Sequence, residues 1–241
     1  EDVGSAKVAV LARHLQATAT NTDMEVDAVE ASVTSTEALQ ELKDVDFVFG
    51  CVDNFGARFV LNQLSIKYLL PYIDCGSSLV AQEPRRMAEV GGQVLVCLPG
   101  RFCLECVGFI DHEKASQDLM GPADRERQAR LGYLAGTNAP TPSVGFLNMV
   151  VASLALGELV NLVTGFKPQA RYLHYQALRG HVEEYLCDRD PECMTCGPAG
   201  LLALGDLEPW PDFCSDRIPE TLPAAQASPT DHFVAAAHLL E

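Results

Sequence analysis

Basic residues are scarce: 17 lysines and arginines stand against 33 aspartates and glutamates in 241 residues, for a net charge of −16. No stretch resembles a basic stripe, which argues against broad nucleic-acid binding and counts against a tRNA substrate. A secretory leader is not expected either, because the chain opens Glu1-Asp2-Val3-Gly4-Ser5-Ala6-Lys7, with no basic region ahead of an apolar core. There is no internal repeat. None of the histidines, His174 and His181 included, pairs with a cysteine or an acid at the spacing of a ligand set or a triad, so surface or hairpin positions are expected for them. A membrane span is approached once, over residues 143–165, but Asn148, Ser153, Glu158 and Asn161 interrupt it. Pro142 and Gly165 flank it as start and stop signals, so it reads as a buried central helix of a soluble protein.

What is present allows a substantial core. Hydrophobic residues make up 48% of the chain, enough for one large domain or a domain with appendages. The nine cysteines are odd in number, and four of them fall in Cys103-Leu-Glu-Cys106 and Cys193-Met-Thr-Cys196. Such spacing reads as thiolates in a reducing compartment, so a cytoplasmic setting is expected.

Periodicity gives alternating α and β segments. Residues 5–17 predict an amphipathic helix, and Met24 to Val33 alternates like a strand. Thr36 to Leu42 predicts a helix behind a Ser35/Thr36 cap, followed by a strand over Asp46 to Val52, a helix over Gly56 to Leu69 and a strand over Tyr72 to Cys75. Such alternation implies parallel strands with crossover helices, and ligands in open sheets of this kind lie beyond the carboxyl ends of the strands. Further on, Gly91 to Leu98 is a strand, Asp111 to Pro142 a long loop with a short helix near residues 123–130, and Arg171 to Gln176 with His181 to Leu186 a hairpin. From Gly205 the chain becomes an acidic, Pro-rich tail with a short helix near His232 to Leu239. The expected division is a domain over residues 1–204 and a tail over 205–241.

Asp53 and Asn54 close the Asp46 to Val52 strand just before a helix. A carboxylate there can hold a divalent cation while the helix N-terminus faces phosphate oxygens. Arg58 adds a planar fork suited to phosphate, and Asn62, four residues on, shares its helix face, so both can address one ligand. The alternative is that Asp53 or Asn54 simply caps the helix. The paired cysteines are more specific, since two Cys-x-x-Cys knuckles supply the four thiolates of a closed, structural Zn²⁺ site. Redox pairs or free thiols are the alternatives. Cys51, Cys75 and Cys97 lie in predicted strands as small core residues.

The ordered set Glu1 to Lys7, Asp46-Phe-Val-Phe-Gly-Cys-Val-Asp53-Asn54 with Arg58 and Asn62, Pro71 to Gly76, Cys-x-x-Cys, the apolar helix carrying Glu158 and a second Cys-x-x-Cys resembles the ThiF/MoeB/HesA family, over about residues 1–197. The resemblance implies a Rossmann-like adenylation fold, with a mixed sheet flanked by helices. It further implies ATP- and Mg²⁺-dependent adenylation of the C-terminal carboxylate of a ubiquitin-like or sulfur-carrier protein, structural Zn²⁺ and a homodimer. On that basis Lys7 would contact ATP phosphate, Asp53 would hold Mg²⁺, and Asn54 would touch the nucleotide, with Arg58 and Asn62 in support.

Two departures stand out. The family's glycine-rich phosphate loop, its ribose-binding acid and its first βαβ unit precede the position of Lys7, so this chain by itself is expected to bind ATP poorly. Members that pass the activated protein to an enzyme thiol carry a cysteine in the crossover loop, and residues 107–186 contain none. This resembles the members that stop at the acyl-adenylate, leaving sulfur or a thiol to a partner protein. Cys187 lies among Asp188, Asp190 and Glu192, which disfavours a thiolate, and Cys214 sits in the tail. The crossover loop would cover the substrate's tail and order on binding. The competing readings are a non-catalytic scaffold or heterodimer subunit and adenylation of a peptide.

Overall fold

Capped helices alternate with short apolar runs over the first third of the chain. In the computed structural model, which describes residues 2–21, 23–83, 86–131, 144–210 and 235–236, this produces α1 (Lys7–Thr18), β1 (Asp27–Ala28), α2 (Thr36–Leu42), β2 (Val48–Gly50) and α3 (Phe55–Tyr68). Ser35 caps α2 by accepting from the Ala38 amide at 3.2 Å, and α3 ends where Leu69 turns left-handed at φ 58°. β3 (Tyr72–Glu83) and β4 (Arg86–Cys97) then form a long hairpin, followed by α4 (His112–Asp118), α5 (Pro122–Arg130), α6 (Gly145–Thr164), and the hairpin β5 (Tyr172–Gln176) and β6 (His181–Tyr185).

The main sheet has the order β2-β3-β4-β5-β6. β2 and β3 run parallel across the α3 crossover and the other pairs are antiparallel, so the sheet is mixed and flanked by helices, as the resemblance implied. Side chains alternate between its faces. Tyr72, Leu95 and Cys97 pack with Ala57, Val60, Leu61 and Leu64 of α3, whereas Ile73, Cys75, Val94 and Val96 pack with Val151 and Ala155 of α6.

Several expectations need correction. Of the strand expected over Met24 to Val33, only Asp27–Ala28 pairs, antiparallel to β7 (Ala235–Ala236). Those two alanines are the described part of the helix expected near residues 232–239, and they are extended. β3 and β4 are longer than expected. Their outer halves mix Leu79, Val80 and Val90 with serines, Glu89 and the Gly91-Gly92 pair, so no clean apolar alternation marks them, while backbone pairing continues from Ser77 with Gly92 to Val80 with Glu89. The Asp111 to Pro142 loop contains two helices, and residues 132–143 lie outside the described residues.

The largest difference concerns α6. It is long and apolar enough to cross a membrane by length and composition, yet it lies along β3 and β4 and buries a single stripe of Leu147, Val151, Ala155, Glu158 and Asn161. Phe146, Met149, Leu156, Val160 and Val163 are exposed on its other side, so it is half-covered instead of central. Glu158 tolerates burial because the Lys167 ammonium pairs with it and Gln169 donates to it at 2.6 Å. α1 is similar on a smaller scale, burying only Val8 and leaving Leu11 and Leu15 partly exposed.

Candidate functional site

The chain turns from β2 into α3 through Val52, Asp53 and Asn54. Val52 is buried, and Asp53, next in line, is exposed at the carboxyl end of the strand. Asn54 is the N-cap: its backbone is extended and its Oδ1 accepts from the Ala57 amide at 2.8 Å. The capping alternative therefore describes Asn54, and its cap fixes where the chain carries Asp53.

The first amides of α3 do not face outward as expected. Phe55 and Gly56 donate to Asp118 Oδ2 at 2.9 and 3.1 Å, so a carboxylate from the end of α4 occupies the positive end of the helix. The donors that the sequence assigned to phosphate are satisfied within the chain. Asp118 is not singled out by the sequence, because it lies 62 residues from Gly56 and belongs to a segment that reads as a long loop.

Arg58 and Asn62 do not address one ligand. Arg58 is buried, and its Nε donates to both oxygens of Asp74, at 3.2 and 3.3 Å. Tyr72 Oη donates to the same carboxylate at 2.7 Å. The guanidinium carbon lies over the rings of Phe55 and Phe109, 5.9 and 5.6 Å from their centroids. Two glycines make the space: a Cβ on Gly76 would sit 2.5 Å from Arg58 Nη2, and one on Gly50 would sit 2.4 Å from Tyr72 Oη. Burial raises the Asp74 carboxyl, against the opposing pull of Arg58 and the Tyr72 hydroxyl. Burial works against charge on Arg58 too, yet Asp74 holds the guanidinium above its ordinary value. Asn62 is fully buried, and its Oδ1 accepts from the Leu104 amide at 2.9 Å. A side chain with no exposed surface cannot also meet a nucleotide. One signal for this network was present in the sequence, since an aspartate inside the apolar run Tyr72-Ile73-Asp74-Cys75 must find a partner or remain unsatisfied.

Lys7 is the first residue of α1 and is exposed. Cys51 corrects the expectation of a core residue, being exposed just past β2, whereas Cys75 and Cys97 are buried. Cys187 is buried, and its thiol is raised by that burial and further by Asp188, with Arg171 opposing. An unreactive thiol results. Cys214 lies outside the described residues.

At the opposite end of α3 the two knuckles converge. The Sγ atoms of Cys103, Cys106, Cys193 and Cys196 all lie within 4.8 Å of one another. Three of the sulfur–sulfur edges measure 3.8 Å for Cys103 to Cys106, 3.6 Å for Cys103 to Cys193 and 3.3 Å for Cys106 to Cys196. A Zn–S bond of about 2.3 Å makes the edge of a regular tetrahedron roughly 3.8 Å, so the four sulfurs fit a metal ion of that kind. Cys106 N donates to Cys103 O at 3.1 Å, Gly197 N donates to Cys193 O at 2.8 Å, and a Cβ at Gly197 would lie 2.3 Å from that oxygen. The second knuckle therefore requires glycine there. Burial pushes the Cys103 and Cys196 thiols up, Cys196 to about 12, a shift that a bound dication would offset by favouring thiolates. Ile66 of α3 and Leu201 and Leu202 pack around the group, which ties the loop after β4 and the loop after β6 to α3.

Known proteins give an independent comparison. The chain is 30% identical over 202 residues to the sulfur carrier protein adenylyltransferase of Thermus thermophilus, covering 82% of this chain and 65% of that protein. It is 28% identical over 181 residues to HesA of Leptolyngbya boryana, covering 73% of this chain and 53% of HesA. Among solved structures, E. coli MccB with MccA-N7isoASN superposes with a TM-score of 0.58 at 16% identity, over 81% of this chain and 53% of MccB, a likeness of fold. The chain thus spans about half to two thirds of the length of these relatives. The family model for ThiF matches residues 1–195, through the Asp53 turn, the first knuckle and Cys193 of the second, and the chain belongs to the ThiF family.

Proposed function

We propose that this chain is part of an ATP-dependent adenylyltransferase that activates the C-terminal carboxylate of a ubiquitin-like or sulfur-carrier protein, with no catalytic cysteine in its crossover segment. The observation that carries the reading is Asp53, exposed at the carboxyl end of a parallel strand in a ThiF-family chain and directed by the Asn54 cap. Asp53 would hold Mg²⁺, which commonly takes one protein carboxylate beside phosphate and water oxygens. When bound, the ion offsets the repulsion between the attacking carboxylate and the triphosphate. The exposed Lys7 ammonium adds charge of the same sign, and no protein nucleophile is needed for this step.

Arg58 serves this reading as a brace and not as a phosphate ligand. Its pairing with Asp74 ties α3 to β3 beneath the Asp53 turn. The four cysteines would hold Zn²⁺ as a closed structural staple. Phosphate can reach the α3 amides only after Asp118 leaves them, so in this reading α4 is the element that shifts when substrate binds. A homodimer and a cytoplasmic setting complete the proposal.

The test is ATP/pyrophosphate exchange with candidate carrier proteins, using this chain extended by the upstream sequence of its gene. Carrier-dependent exchange that Asp53→Ala abolishes is the expected result. Exchange that survives the substitution removes Asp53 from the mechanism. A folded, zinc-loaded protein that shows no exchange with any carrier favours the scaffold reading.

A further inference from the structure

A second meeting of sulfurs lies at the other end of the sheet, apart from the four-cysteine group. We propose that Cys51 and Cys75 are a modification site: a dithiol that closes to an intramolecular disulfide in the presence of a small disulfide oxidant. Gly50 of β2 is in register with Asp74 of β3, and one step along both parallel strands sets Cys51 beside Cys75. Neighbouring strands run about 4.8 Å apart, within the roughly 4.4–6.8 Å Cα separation that a disulfide spans. The two Sγ atoms are already 3.4 Å apart, so bond formation at about 2.05 Å requires little movement.

The two sulfurs are unequal, and the inequality orders the steps. Cys51 is exposed, whereas Cys75 is buried beside Ile73 and Val151, with its thiol donating to the Gly50 carbonyl at 3.6 Å. The Cys51 sulfur attacks one sulfur of the oxidant, breaking its S–S bond and releasing one small thiol. The Cys75 sulfur then attacks Cys51 Sγ, breaks the mixed disulfide and releases the second small thiol, while the two protein thiol protons pass to the released thiolates or to solvent. Two protein thiols lose two electrons in total, and one small disulfide becomes two thiols. The new bond ties the chain two residues before Asp53 to β3, and its formation can be read whether or not the chain takes part in adenylation.

The experiment incubates the zinc-loaded chain with oxidised glutathione, traps free thiols by alkylation and digests without reductant. Cleavage after Lys43, Arg58, Lys67 and Arg85 puts the two cysteines on separate peptides, residues 44–58 and 68–85. The expected product is these two peptides joined, released by dithiothreitol and absent from Cys51→Ser and Cys75→Ser. Cys75→Ser lacks the resolving thiol and should accumulate the Cys51–glutathione adduct at least tenfold over the unsubstituted chain. If Cys75→Ser folds poorly, the unsubstituted chain decides alone. Glutathione retained on Cys51 with Cys75 alkylated overturns the proposal, as does Cys75 joined to a different cysteine.

Discussion

The two ends of α3 carry two kinds of site. At its C-terminal end, four sulfurs from two loops converge with all the donors that a tetrahedral ion needs, surrounded by Ile66, Leu201 and Leu202. At its N-terminal end, Asp53 stands exposed and the helix amides are taken by Asp118. The cysteine end has its four sulfurs within the chain and gathers two loops against α3. In the proposed reading the aspartate end would take phosphate and a cation from outside, and in this structure its helix terminus is satisfied by a carboxylate of the chain's own. Substitutions should therefore cost stability at the first end and activity at the second.

The strongest way to break this contrast is to remove the staple. Cys103→Ser or Cys193→Ser should abolish bound zinc and lower stability by several kcal/mol, because metal-binding free energy at a structural site is folding free energy. Metal analysis with thermal unfolding checks this, and unchanged unfolding would erase the distinction. Next is Arg58→Ala, which strands the buried Asp74 and should cost about 3–5 kcal/mol in denaturant unfolding. An effect seen on exchange alone would return Arg58 to the phosphate site. Asp118→Ala removes the carboxylate from the α3 amides and should cost about 1 kcal/mol by the same measurement. Asp53→Ala should change stability by less than about 0.5 kcal/mol while abolishing exchange, the sharpest form of the contrast.

The smallest effect is one of pH, near the cysteine end. The Tyr68 phenol is raised to about 12, first by burial and then by its bond to Asp206. A raised folded value means that its contribution is fully present below the ordinary value near 10 and is lost as pH climbs toward 12. Tyr68→Phe should flatten part of the alkaline fall in unfolding midpoint between those values.

Much of the fold was legible because local patterning agreed with it. The Ser35 cap, the Asp46-to-Asn54 strand and turn, the α3 crossover and the final hairpin were all placed to within a few residues. The misses follow from information that local windows do not contain. α6 is apolar all round, which in sequence means burial on all sides, yet the sheet covers one stripe of it. The outer halves of β3 and β4 hold by backbone pairing, which leaves no apolar period to detect. Arg58 and Asn62 share a helix face as their spacing requires, but that face is turned inward.

By itself the sequence determined the family, the order of α and β segments and the identity of the four sulfurs, because cap residues, apolar periods and Cys-x-x-Cys spacing are local properties. Only the tertiary structure decided which polar groups are spent on the protein itself. Asp74 claims Arg58, the Leu104 amide claims Asn62, Asp118 claims the α3 amides and Cys75 meets Cys51. Each of these pairs joins residues at least 16 positions apart, and a buried polar group is satisfied by whatever the folded chain brings beside it.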